Sequence, residues 1–374
     1  MKVHGSPFPD PDQLLLLQAA SLEGTKAIAA WAAWQASYNL ADPLDNGSFR
    51  TLPLLYRQLS RILPEEPLLG KLKFAYHQSW YRNQKLLHRG AEVLKLLNDN
   101  QIDTIVLKGA ALSIMYYEDL GIRPMADLDV MVRPEDARKA LALLQQEGWI
   151  ADDSHHIEYN LRYGRAMGFR DSSGSEFDLH WHPFFELHSG GAKEFWDKAV
   201  PLQLLGVNTL ALDPAAALLH VMVHGLRWNP EPPIRWIPDS LAILGSGKEI
   251  DWQRLLELTQ KFRVILQVRT AVDYLRAHFD ARFPQEFLTA LETIPAGFVE
   301  RYVFREHLKQ GAESLPEEFY PRLHYLFGVY LRQSERKGML PNLAGFSSFI
   351  LFRTSGKNRA AILWYYLRRA LRKN

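Results

Sequence analysis

Apolar residues recur at helical spacing from Gln13 to Gln35, and helical runs continue from Ser48 to Leu97, punctuated by Pro53, Pro64 and Pro67. In the last of these runs Leu87, Ala91, Leu94 and Leu97 line one face, while Lys85, Arg89, Glu92 and Lys95 take others. Such an amphipathic helix packs its apolar stripe on whatever follows. The first hundred residues therefore read as all-helical.

At Asn98 the pattern changes. Ile102 to Leu107 is a short β-branched run, Lys108-Gly109 interrupts it, and Ala110 to Tyr117 has the spacing of a helix. Gly121-Ile122-Arg123-Pro124 resists regular structure and leads into Asp127 to Val132, where acidic and apolar residues alternate as in a strand. Pro134, Glu135 and Asp136 suit the start of a helix and Gly148 its end. Two further strands are expected from Asn160 to Phe169 and from Glu176 to Trp181, joined by the turn-forming Asp171-Ser172-Ser173-Gly174-Ser175. Beyond Pro214 helices return, at Ala215 to Leu226, Ile237 to Leu244, Asp251 to Phe262 and Ile265 to Phe279, with more to the end. No internal repeat is present. The plan is helical, then mixed, then helical, with boundaries near residues 1–100, 101–210 and 211–374. It makes an α+β protein that is mostly α overall.

A chain of 374 residues exceeds the usual single core, and 47% hydrophobic with 23% charged residues is ordinary globular composition. The formal charge of +2 gives no global field that demands a polyanionic partner, so nucleic acid is permitted but not implied. The absence of cysteine removes disulfides, thiolate metal sites and cysteine nucleophiles from consideration. Asp10, Pro11 and Asp12 precede the apolar run Leu14 to Leu17 where a signal peptide wants basic residues, and no segment offers the roughly 20 apolar residues of a membrane span. A cytoplasmic location is the expectation.

The chemistry is carried by Asp127-Leu128-Asp129. On a strand both carboxylates project from one face while Leu128 and Val130 turn to the other. Paired acids repel unless a cation lies between them, and a hard divalent ion with oxygen ligands answers that need. Phe177-Asp178-Leu179 is a second apolar, strand-like setting from which a neighbouring strand could supply a third carboxylate. Three acids suffice for two metal ions and in-line displacement at phosphorus. Lys108-Gly109-Ala110-Ala111 places small residues at a strand-to-helix turn, where backbone N–H groups attract phosphate, with Arg123 as a clamp.

Val106-Leu107-Lys108-Gly109-Ala110-Ala111-Leu112, Gly121 through Val132 and Phe177-Asp178-Leu179-His180-Trp181 together resemble the nucleotidyltransferase-like branch of the DNA polymerase β superfamily, known largely from bacteria. The resemblance extends through His220, His224, Trp236, Asp239 and Asp251-Trp252, over roughly residues 85 to 265. It implies a nucleotidyltransferase-type mixed sheet flanked by helices. It also implies transfer of a nucleoside monophosphate from a nucleoside triphosphate, ATP foremost, with Mg2+ or Mn2+ at two positions and release of pyrophosphate. By resemblance Gly109 carries the triphosphate, Asp127 and Asp129 bind both metals, and Asp178 completes the site and helps deprotonate an acceptor hydroxyl. Lys108-Gly109-Ala110 departs from the wider pattern in lacking its serine or second glycine, and Ser113 is a substitute donor.

His220 and His224 share a helix face at a spacing used by zinc ligands, yet the Glu of a metalloprotease motif is absent. They are read as cleft residues that touch base or acceptor together with Arg227 and Asp239. His180, two residues beyond Asp178, is another candidate substrate contact. The stretch from Arg332 to Lys373 holds ten basic residues against Glu335 alone and reads as a solvated terminal helix. The acceptor is open among small molecules, peptides, proteins and RNA ends. Two rival readings stand beside this one, a tailoring enzyme with another phosphate-activated donor and a non-catalytic nucleotide- or partner-binding module of the toxin–antitoxin kind.

Overall fold

The computed structural model describes residues 7–38, 43–152, 157–184, 192–226 and 233–310, with a few isolated positions between 327 and 349. The basic stretch from Arg332, together with Arg227, lies almost wholly outside these residues. Four helices come first: α1 (Pro11–Ser21), α2 (Gly24–Ser37), α3 (Asn46–Ile62) and α4 (Leu69–Asp99). Asp10 and Gln13 form a reciprocal capping box that starts α1, with Pro11 at the first helical position. Asp45 starts α3 by accepting from the Ser48 N–H.

The central part runs β1 (Ile105–Val106), α5 (Lys108–Leu112), a π-helical turn (Ser113–Tyr117), β2 (Asp127–Met131), α6 (Ala137–Gln146), β3 (Ile150–Ala151), α7 (Ile157–Tyr163), β4 (Ala166–Arg170), β5 (Glu176–His180), α8 (Lys193–Trp196), β6 (Val200–Leu204) and β7 (Val207–Ala211). Helices then return as α9 (Pro214–Gly225), α10 (Trp236–Gly245), α11 (Trp252–Lys261), α12 (Ile265–Phe279), α13 (Gln285–Thr293) and α14 (Phe298–Gln310). Asp213 starts α9 by accepting from the N–H groups of Ala215 and Ala216. No helix among the described residues is long and apolar enough to cross a membrane.

The strands form one seven-stranded mixed sheet in the order β3-β4-β5-β2-β1-β7-β6, so the fold is α+β. β2 and β5 are parallel neighbours with Asp129 opposite Asp178, and β4 and β5 form the hairpin expected from the Asp171–Ser175 turn. There Asp171 Oδ1 accepts from Ser173 N–H, Ser173 O–H and Ser175 N–H.

Two stretches differ from expectation. Asn160 to Tyr163 belongs to helix α7 and not to a strand, because its alternation of apolar and polar residues fits either period over so short a span. The β6–β7 hairpin extends the sheet past β1, its turn made by Leu205 and Gly206, both in the left-handed region.

Alternation along β2 divides two cores. Leu128 and Val130 face α4 and α6 with Phe177 and Leu179, whereas Met131 on the other face joins a helical core in which α1 to α3 pack with α9 to α13. The acidic face of the sheet is thus roofed by helices from both ends of the chain.

Candidate active site

The in-register pairing of β2 with β5 places Asp129, Asp178 and His180 so that one ligand atom from each lies within 4.8 Å of the others. Asp127 stands two residues before Asp129 on the same face and lines the same cavity, of about 250 Å³, without joining that group of three. Lys108, Gly109, Arg123, His224 and Asp239 also line this cavity, as do Arg50, Arg165 and Arg235.

Asp129 is buried, and His180 Nε2 lies 2.9 Å from its Oδ1 while the Lys108 ammonium forms an ion pair with the same oxygen. Burial works to raise the Asp129 carboxyl, but Lys108 and the His180 hydrogen bond outweigh it and hold the group below the ordinary carboxylate range. Burial and the charge of Asp129 push Asp127 up. Asp178 is raised to about 6, first by burial and then by Asp129 and Asp127. His180 is lowered to about 4, chiefly by burial and by Lys108, so its imidazole is neutral near pH 7. Lys108 itself has a left-handed backbone, φ 42°, where the chain turns from β1 into α5. A non-glycine residue held there stores strain, a feature that clusters at functional sites.

Gly109 is needed for close approach. A Cβ there would fall 2.7 Å from Arg123 Nη1 and 2.8 Å from Met125 Sδ, so any larger residue would press on these two side chains of the loop that leads into Asp127. That loop is fastened from three sides. Asn83 of α4 donates to the carbonyls of Leu120 and Arg123 and accepts from Met125 N–H. Arg235 donates to the Pro124 carbonyl at 2.7 Å. Arg123, expected as a phosphate clamp, makes two 2.8 Å hydrogen bonds to Asp239, which also accepts from Tyr117 O–H.

Asp239 is accordingly the buried anchor of Arg123. Ser113 is fully buried with no hydrogen-bond partner at Oγ and does not line the cavity, since the π-helical turn carries it inward. His220 is buried behind Lys108, where it borders a small separate void, with its Nε2 unpaired. His220 and His224 rings meet edge-on at 6.0 Å, and neither belongs to the one candidate metal group among the described residues.

Arg50, Arg165 and Arg235 escaped sequence reasoning. None stands in a motif, and Arg50 on α3 reaches the site only because α1 to α3 fold back onto the C-terminal helices. Burial and the nearby Arg123 lower Arg235 to about 10.

A family model described as an uncharacterised nucleotidyltransferase matches residues 48–280. That span begins within α3, well before the motif blocks. Two solved structures are similar at low identity. One is a lincomycin-bound lincosamide antibiotic adenylyltransferase, with 12% identity and a TM-score of 0.26, over 34% of this chain and 80% of that one. The other is an antigenic nucleotidyltransferase-like protein from Paracoccidioides brasiliensis, with 13% identity and a TM-score of 0.35, over 56% of this chain and 93% of that one. Comparison with curated proteins gives no match.

Proposed function

From the premise that the chain belongs to the uncharacterised nucleotidyltransferase family, we propose that it moves a nucleoside monophosphate from a triphosphate, ATP foremost, to an acceptor and releases pyrophosphate. The observation that carries this reading is the pairing of Asp129 with Asp178 on adjacent parallel strands above a cavity that Asp127 and Lys108 also line.

The donor set fits a divalent ion. Its oxygens are carboxylate, and Asp127 and Asp178 are pushed up first by burial and then by the neighbouring aspartates, a clustering of acids that a divalent cation would relieve. Asp127, Asp129 and Asp178 would hold magnesium or manganese, two ions in the full site, with His180 fixing Asp129 from behind. The ions would activate the attacking oxygen and offset charge on the departing pyrophosphate.

The chain's own groups do the rest. Lys108, the backbone at Gly109 and Arg235 face the cavity as phosphate partners. In the transfer an acceptor oxygen bonds to the α-phosphorus, the bond from that phosphorus to the pyrophosphate oxygen breaks, and the acceptor proton passes to Asp178. Asp178 lines the cavity beside Asp127 and Asp129, where its carboxylate can accept that proton. Arg123 is a positioning residue that holds the 123–126 loop through Asp239.

Pyrophosphate release, measured with each triphosphate and Mg2+ or Mn2+, tests the reading. Wild type should release pyrophosphate, and Asp178→Asn should lower turnover by about 10²–10⁴-fold. Calorimetry with Asp127→Asn plus Asp129→Asn should show metal-dependent triphosphate affinity lost. A wild-type protein that binds no triphosphate in the presence of either metal would overturn it.

A further inference from the structure

A second cavity adjoins the first. It is a groove of about 410 Å³ between α3, α4, the 124–126 segment and the β4–β5 turn. Arg50 lines both spaces, and Ala126, the residue before Asp127, lines the groove. Its volume falls within the range of small-molecule sites.

The groove's charges are unbalanced. Arg82 and Lys85, three apart on one face of α4, and Arg50 opposite them have no hydrogen-bond or ion-pair partner among the described residues. Glu176, the groove's one acid, is paired with Arg170. Ser79, 5% exposed, lines the groove with its Oγ unpartnered. Phe49, 42% exposed, and Met125 add apolar wall.

None of the carboxylates proposed to hold metal lines this groove, so it does not suit the metal-bound phosphates of a donor. We propose that the groove is the acceptor site and that it takes an acceptor bearing a phosphate or carboxylate beside an apolar or flat portion. Arg82 and Lys85 bind the anion, Phe49 packs on the apolar part, and the nucleophilic end passes Ala126 and Arg50 to reach Asp178. This deepens the nucleotidyl-transfer reading and rests on it.

The test is calorimetry on the full chain with phenyl phosphate and phenylacetate as probes and inorganic phosphate as control, without and with Mg2+ and a saturating non-hydrolysable ATP analogue. An aromatic anion should bind at least about tenfold tighter than inorganic phosphate, and equally well when the analogue is present. Whichever of the two probes binds better names the anion. Arg82→Gln with Lys85→Gln should weaken the aromatic anion by about tenfold or more, with analogue affinity unchanged. Phe49→Ala should weaken the aromatic anions but not inorganic phosphate.

Both basic residues are exposed, so their loss should leave the thermal transition in place. The proposal is overturned if neither aromatic anion binds, if the analogue displaces it, or if the double variant binds it normally. If the analogue fails to bind wild type while the probes behave as expected, the donor reading fails and the groove stands as an anion site.

Discussion

Asp178 is charged at neutral pH against the preference of its surroundings. Its carboxyl titrates near 6 in the fold, raised by burial and then by Asp129 and Asp127, and near 3.9 in an unfolded chain. A raised acid costs nothing below the unfolded value, where both states are protonated; the cost grows between these pH values and is fully present above 6. Asp178→Asn should therefore stabilise the metal-free protein at pH 7.5 by roughly 1–3 kcal/mol and leave it unchanged at pH 4. Saturating Mn2+ should cancel the gain. Urea unfolding at both pH values checks this, and an equal shift at each would contradict it. The acid pair itself was legible in the sequence because the side-chain period of a strand is two, which puts Asp127 and Asp129 on one face whatever surrounds them. The role of Arg123 was not. Its partner Asp239 lies 116 residues away, and no local pattern records such a contact.

Between elements, the site depends on how α4 lies against β2. A Cβ on Gly90 would sit 2.2 Å from Leu128 Cδ2, and Leu128 is the residue between the two site aspartates. Gly90→Val should cost about 1–3 kcal/mol through overpacking. It should also weaken Mn2+ binding, readable by calorimetry, because β2 must shift to make room. The loop entering β2 is pinned to α10 by the Arg123–Asp239 pair, with side chains 10% and 5% exposed. Asp239→Ala would strand a buried guanidinium and the Tyr117 hydroxyl, with a loss of about 3–5 kcal/mol in urea unfolding. Had Arg123 served as a free phosphate clamp, the loss would appear in substrate affinity with stability intact. Helices were easier to foresee than strands for a physical reason: α4 and α11 carry periodic apolar faces, whereas β1 and β3 are two residues long. The β6–β7 turn uses Leu205-Gly206 in place of the Asn-Gly or Asp-Gly that announces a hairpin in sequence.

At the scale of the molecule, α1 to α3 and α9 to α13 share one hydrophobic core, although the sheet separates them along the chain. Removing residues 1–66 would strip Leu16, Leu17, Trp31, Leu55 and Leu59, all nearly fully buried, from that core. The remaining chain should lose its cooperative thermal transition and bind apolar dyes. A truncated chain that keeps a sharp transition and its metal affinity would show the two helical regions to be independent. This arrangement was not readable from the sequence, because periodicity says which face of a helix is buried and not which distant helix buries it. It is also why Arg50 had no visible connection to the site.

The position of β1 carries a last consequence, for synthesis. This two-residue strand sits between antiparallel β2 and parallel β7, so its second flank stays bare until residue 211 has been made. The cover that α10 and α12 give to α1 comes later still. A growing chain thus holds part of this apolar surface uncovered until the later helices are made, and helper proteins that shield nascent chains should matter more to its yield than to its finished stability.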